Sequence, residues 1–174
     1  MENKQLVKYN FKTKPFKHQM DALDASHDKK YFALFMEMGT GKSKVLIDNI
    51  VHLYDRGEIN FALIIAPKGV YRNWVEREIP QHFPDDVPYR VIRWVSNPNK
   101  EQEREIKSVK DAFEGITIFV MNVEIFSTVK GRNVGNWLAK RFGSRGIVAV
   151  DESTTIKNTK SNRTKALVQL SKDF

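Results

Sequence analysis

The chain has 174 residues, 41% hydrophobic and 29% charged, enough apolar material for one domain with its own core and too much for a disordered chain. It contains no cysteine, which excludes disulfides and cysteine-based metal sites, and no apolar run reaches signal-peptide or membrane-spanning length, so a cytoplasmic protein is the expectation. A net charge of +8 favours a polyanionic partner such as nucleic acid without requiring one.

Residues 1–14 are polar and lysine-rich and read as an extended basic segment, leaving 15–174 as the folded domain. Pro15 opens a helix with Phe16, Met20 and Leu23 on one face and Gln19 nearby. Tyr31–Phe35 is aromatic or aliphatic throughout, which predicts a strand buried on both faces. Gly39 and Gly41 break it, and Val45, Leu46, Ile47, Ile50, Val51 and Tyr54 mark the buried side of a helix that Gly57 stops. Phe61–Ala66 is a second short apolar strand, ended by Pro67. A helix over Val70–Ile79 carries Trp74 and Val75 and is closed by Pro80. Tyr89–Val95 alternates like a strand, and Lys100–Phe113 fits a helix with Ile106, Val109 and Phe113 inward. A strand over Ile116–Met121, a helix over Asn136–Phe142, a strand over Ile147–Val150 and a helix over Arg163–Ser171 complete the chain.

Apolar strands separated by helices predict an α/β domain, a mostly parallel sheet with helices on both faces. Right-handed crossovers place the carboxyl ends of all its strands on one edge. That edge collects Lys42, Pro67-Lys68, Asn122 and Asp151-Glu152, where open α/β sheets bind ligands.

The stretch EMGTGKS has the layout of a phosphate cradle: backbone N–H groups freed by Gly39 and Gly41, and a helix N-terminus, facing an anion. Lys42 would reach the outer phosphates of a nucleotide and the Ser43 hydroxyl would sit on magnesium. Met36 stands where the general G-x-x-x-x-G-K-[ST] pattern has glycine. Far downstream, IVAVDES delivers Asp151 to hold magnesium and Glu152 to orient and deprotonate a water. A lone Asp-Glu after a strand is ordinarily a solvated loop start; the cradle upstream reverses that reading. Trp74, Trp94 and Trp137 read as packing residues, and His18, His27, His52 and His82 lack metal-ligand spacing. Lys157, Lys160, Arg163 and Lys165 form a basic run beside Asp151-Glu152, read equally well as a phosphate contact or a solvated helix face.

These motifs resemble, in order, those of the first motor domain of superfamily 2 helicases and translocases, in the Swi/Snf-like branch. MEMGTGKS resembles that branch's nucleotide loop, in which Met36 is an accepted departure. IIAPKGVYRNWVEREI, VMNVEIF, VDESTTIKN, NRTKAL and PFKHQMDAL resemble further motifs of the branch. Ser153-Thr154 replace the Ala-His of its magnesium motif, and Val123 stands where tyrosine is common. The resemblance implies a RecA-like P-loop domain that uses ATP and Mg2+. It assigns Gln19 to the adenine base and Gly39, Thr40, Gly41, Lys42 and Ser43 to the phosphates. Asp151 and Glu152 go to metal and water, and Pro67, Lys68 and Asn122 to a nucleic-acid backbone, with DNA the expected partner.

The resemblance also implies a second RecA-like domain that supplies an arginine to the γ-phosphate. The next motif of the family would begin just beyond Phe174, so the chain reads as the first motor domain of a longer protein or a naturally short relative, and a phage or mobile-element origin would suit it. On its own this stretch is expected to bind nucleotide weakly and hydrolyse it very slowly. The alternative is a non-hydrolytic nucleotide- or DNA-binding module acting through a partner. A small-molecule kinase would need an acceptor site and a lid arginine cluster, for which the sequence offers no candidates.

Overall fold

The computed structural model describes residues 9–152 and 160–174. Four strands form one parallel sheet in the order β2-β3-β1-β4: β1 Phe61–Ala66, β2 Tyr89–Arg93, β3 Ile116–Asn122 and β4 Gly146–Val150. The helices are α1 Lys17–Ser26, α2 Lys42–Asp55, α3 Tyr71–Asn73, α4 Ile79–His82, α5 Lys100–Ser108, α6 Val129–Phe142 and α7 Asn162–Leu170. The α/β class with a parallel sheet is therefore as the sequence predicts.

Side chains along a strand alternate between faces, and here they build two cores. Ala62, Ile64 and Ala66 of β1 pack with Ile118 and Val120 of β3 against Ile47, Ile50 and Val51 of α2, with Trp74, Ile79 and Phe83 beside them. Leu63, Ile65, Phe119 and Met121 pack on the other face against Leu138 of α6 and Leu167 and Leu170 of α7. All residues of β1 and β3 are buried, because each strand has neighbours on both sides and helices on both faces. The edge strand β4 is only half-buried.

The register sets the carboxyl edge of the sheet. Ala66 pairs with Asn122 and Ile65 with Val150, and the Asp151 N–H donates to the Ile65 carbonyl at 2.8 Å. The loops after β1, β3 and β4 therefore leave the sheet side by side. A short turn at Gly57 joins the end of α2 to the start of β1. The N-terminus of α2, about 21 Å away along a helix of this length, thus lies toward the carboxyl edge.

Several expected elements change. Tyr31–Phe35 is not a strand: it lies outside the sheet, with Tyr31 63%, Phe32 50% and Phe35 97% exposed. Among the described residues β4 pairs only with β1, so no strand lies beside this run to take up its backbone groups. Pro80 does not close its helix. The chain stays helical over 71–82 through a π-turn, Trp74–Glu78, in which the Ile79 N–H reaches back five residues to the Trp74 carbonyl. The wider turn re-phases the ladder just ahead of the residue that has no N–H to donate.

Phe113 is 39% exposed under the Arg90 guanidinium, because α5 ends at Ser108. Helix α6 starts seven residues earlier than expected, at Val129, where the Thr128 hydroxyl caps the Gly131 N–H at 3.1 Å. A Cβ on Gly131 would lie 2.2 Å from the Ile125 carbonyl oxygen, so close packing demands glycine there. The described part of the basic N-terminal segment is tied down. Lys12 donates to the Pro80 carbonyl, Thr13 bonds His82 and Tyr9 donates to Asp24.

Candidate functional site

The turn ahead of α2 owes its shape to two residues with left-handed backbone, Gly39 (φ +77°) and Gly41 (φ +84°). Gly41 caps α2, and the first turn of the helix carries no acidic side chain, so its N–H groups and positive dipole end face outward without competition. A Cβ on Gly41 would lie 2.3 Å from Gln19 Nε2. The Lys42 ammonium is folded into the turn, donating to the carbonyls of Met36 at 3.0 Å and Glu37 at 2.9 Å. The Thr40 hydroxyl donates to the same Glu37 carbonyl at 2.7 Å. The lysine charge is thus held inside the turn by backbone carbonyls.

Gln19 is buried and links α1 to this turn. Its Nε2 donates to the Thr40 carbonyl at 3.0 Å while its Oε1 accepts the Phe16 N–H at 2.9 Å. His18 Nε2 lies 3.0 Å from the same Thr40 oxygen, and Phe16, 70% exposed, stacks on the His18 ring. Sequence reasoning singled out Gln19 for a ligand and put Phe16 on one helix face with Met20 and Leu23; Phe16 instead precedes α1 and is exposed while Leu23 is buried, and its pairing with His18 was missed.

One turn into α2, Lys44 and Asp48 form a buried ion pair, 2.7 Å apart with side chains 5% and 2% exposed. Burial pushes the Asp48 carboxyl up to about 6, against the pull of Lys44. The Phe11 ring covers the ammonium at 5.2 Å.

At the far side of the edge, β4 ends on Asp151. Its Oδ2 accepts the Trp74 indole N–H at 2.9 Å and its Oδ1 accepts the Glu152 backbone N–H at 2.9 Å. Glu152 is exposed and has φ +49°, the described chain's non-glycine residue in the left-handed region. Such backbone in a residue with a side chain is strained and gathers at functional turns. Ser153-Thr154 and Lys157 lie outside the described residues.

Between these two ends, the Lys68 N–H donates to both carboxylate oxygens of Glu124, at 3.1 and 3.2 Å, tying the loop after β1 to the loop after β3. Asn122 is 7% exposed and spends its Oδ1 on the Ile125 N–H, shaping the turn that carries Glu124. Of the expected nucleic-acid group, Pro67-Lys68 stand at the surface and Asn122 beneath it.

The donor set fits a magnesium nucleotide. Ser43 and Asp151 offer hard oxygens, and among the described residues no cluster of three or more His, Cys, Asp or Glu competes as a metal cage. Magnesium is bound in this way, by one or two protein oxygens together with substrate phosphates and water. A cavity of about 610 Å³ lies elsewhere, on the other face of the sheet between Trp94, Trp137, Lys110 and Lys130. It contains neither a carboxylate nor a glycine turn. Among the described residues no helix is long and apolar enough to cross a membrane.

Comparison with known proteins agrees with the fold. A family model described as the SNF2-related domain matches residues 23–173. No curated protein sequence matches the chain. Among solved structures, the chain is similar to the Sulfolobus solfataricus SWI2/SNF2 ATPase core in complex with dsDNA, with TM-score 0.65 and 19% identity. That alignment covers 94% of this chain and 31% of the other, so the chain spans about a third of the length of that relative.

Proposed function

This chain belongs to the SNF2-related domain family, and from that premise we propose that it is the ATP-binding motor domain of a nucleic-acid-dependent ATPase that moves along or remodels DNA. One observation carries the reading: the glycine turn with Lys42 at the head of α2, and Asp151-Glu152 at the end of β4, project at one edge of one parallel sheet. The same edge bears Lys68, on a chain of net charge +8.

In this mechanism the N–H groups of Gly39 to Ser43 hold the phosphates of ATP, and Lys42 leaves the Met36 and Glu37 carbonyls to pair with the outer ones. Gln19, with Phe16 and His18, lies beside the turn to receive the adenine. Ser43 and Asp151 would hold Mg2+, which when bound neutralises phosphate charge and orients the terminal group. Glu152 accepts a proton from the attacking water as the bond from water oxygen to γ-phosphorus forms. The bond from γ-phosphorus to the bridging oxygen then breaks, and ADP leaves with that electron pair. A second RecA-like domain supplies the arginine that stabilises the charge at the γ-phosphate. Without it, these residues bind ATP and turn it over very slowly. Lys68 meets the phosphate backbone of the DNA, with Asn122 setting the loop beneath.

The test is Glu152→Gln in the protein containing both motor domains, with nucleotide binding and DNA-stimulated phosphate release measured together. Retained ATP binding with turnover reduced by about 10²–10⁴, the range for loss of a general base, is the expected result. Unchanged function in that variant would favour the non-hydrolytic module instead.

A further inference from the structure

We propose that Trp74 is the positioning residue of Asp151, an inference that rests on the reading of Asp151 as the metal-holding carboxylate. The carboxylate sits at the end of an edge strand, and rotation about its terminal torsion is soft. Two bonds fix its plane: the Trp74 indole N–H on Oδ2 and the Glu152 backbone N–H on Oδ1, both at 2.9 Å. A carboxylate has about four lone-pair sites, so each oxygen keeps one for a metal or its water.

The bond is not a by-product of burying an indole. Trp94 is 6% exposed, yet its Nε1 has no hydrogen-bond partner among the described residues, whereas Trp74 is 2% exposed and is aimed at a carboxylate 77 positions away. Trp74 also opens the π-turn Trp74–Glu78 ahead of Pro80, and turns of this kind are frequent at functional sites. An apolar ring would fill the same space in the core. The indole adds a fixed N–H, the kind of outer partner that orients a metal-binding carboxylate.

The experiment compares the 174-residue chain with its Trp74→Phe variant by calorimetric titration of a non-hydrolysable ATP analogue, with Mg2+ and with EDTA. Affinity about tenfold weaker with Mg2+ but unchanged in EDTA is the expected result. Equal affinities under both conditions, or equal losses under both, overturn the proposal, the second by reducing Trp74 to packing.

A second measurement needs no folded Trp74 variant. The chain has three tryptophans, hence three indole N–H resonances, and Asp151→Asn identifies the Trp74 signal as the one that moves. Adding Mg2+ to the nucleotide-loaded wild-type chain should shift that signal and leave those of Trp94 and Trp137 in place; a Trp74 signal blind to Mg2+ overturns the proposal. Failure of the wild-type chain to bind the analogue at all would instead remove the nucleotide reading, and this inference with it.

Discussion

Phe61-Ala62-Leu63 and Phe32-Ala33-Leu34 are the same tripeptide in two settings. In β1 the three residues are fully buried between β3 and β4, with α2 on one face and α6 and α7 on the other. Ahead of the phosphate turn the same residues lie outside the sheet, and Phe32 is half exposed. Local hydrophobicity permits a strand; backbone pairing on a sheet edge makes one, because the peptide groups of a buried strand must all find partners. The contrast also divides the Tyr31–Ser43 stretch itself. Its second half is anchored through Gln19 and through α2, while its first half is not.

The comparison can be broken or sharpened by substitution. The largest effect is expected in β1: Leu63→Ala should cost about 3 kcal/mol by loss of burial plus the cavity it leaves. Leu34→Ala, only partly buried, should cost under about 1 kcal/mol, so urea unfolding of the two variants reads the difference directly.

Next comes the anchor under the turn. Asp48→Asn should cost about 3 kcal/mol, because it strands the Lys44 ammonium in the core, whereas the double variant Lys44→Met with Asp48→Leu should be close to neutral. The pair also sets a pH dependence. Burial lifts the Asp48 carboxyl to about 6 from 3.8, so the folded state holds that proton more tightly than the unfolded chain does. The Asp48 contribution to stability therefore falls as pH rises from about 4 to about 6 and is level above that. His52 and His82 act in the opposite direction. Burial lowers both, so each favours the folded state when neutral and loses that contribution as pH falls below the ordinary histidine range. The difference between wild type and the double variant, measured by urea unfolding across pH 4–7.5, reads Asp48 in the acid part of that range and, nearer neutrality, the part of the His82 shift that Lys44 causes.

Gly41→Ala should cost about 1–3 kcal/mol, since φ +84° is a strained conformation for alanine and the new Cβ meets Gln19. Gly39→Ala, with a similar φ but open space around it, should cost about 1 kcal/mol. Thermal unfolding ranks the two. The smallest effect belongs to Phe35→Ser. At 97% exposure the change should leave stability within about 0.5 kcal/mol while lowering any self-association seen by light scattering, because Phe35 is one of four exposed large apolar side chains in this stretch, with Tyr31, Phe32 and Met38.

Much of the candidate site was legible because its chemistry is local. Gly39, Gly41, Lys42 and Ser43 suggest a phosphate turn by type and spacing alone, and the four apolar residues before Asp151 mark the strand that the structure ends there. Trp74 was read as packing, which its burial bears out. Its hydrogen bond to Asp151 was not legible, since nothing in the spacing of two residues 77 apart says that they meet. Glu124 was likewise invisible as the acceptor of the Lys68 N–H until the register of β1 against β3 placed their loops together.

Residue order by itself determined the α/β class, the parallel sheet and the family resemblance, and it supplied the residues proposed for the phosphate site, because periodicity and turn chemistry act over a few residues. Tertiary structure alone decided which apolar runs became strands, that Pro80 could sit inside a helix, and which side chains hold Gln19 and Asp151 in place. Those outcomes depend on hydrogen-bond partners and packing neighbours supplied from distant parts of the chain, and pairing of that kind is a property of the fold.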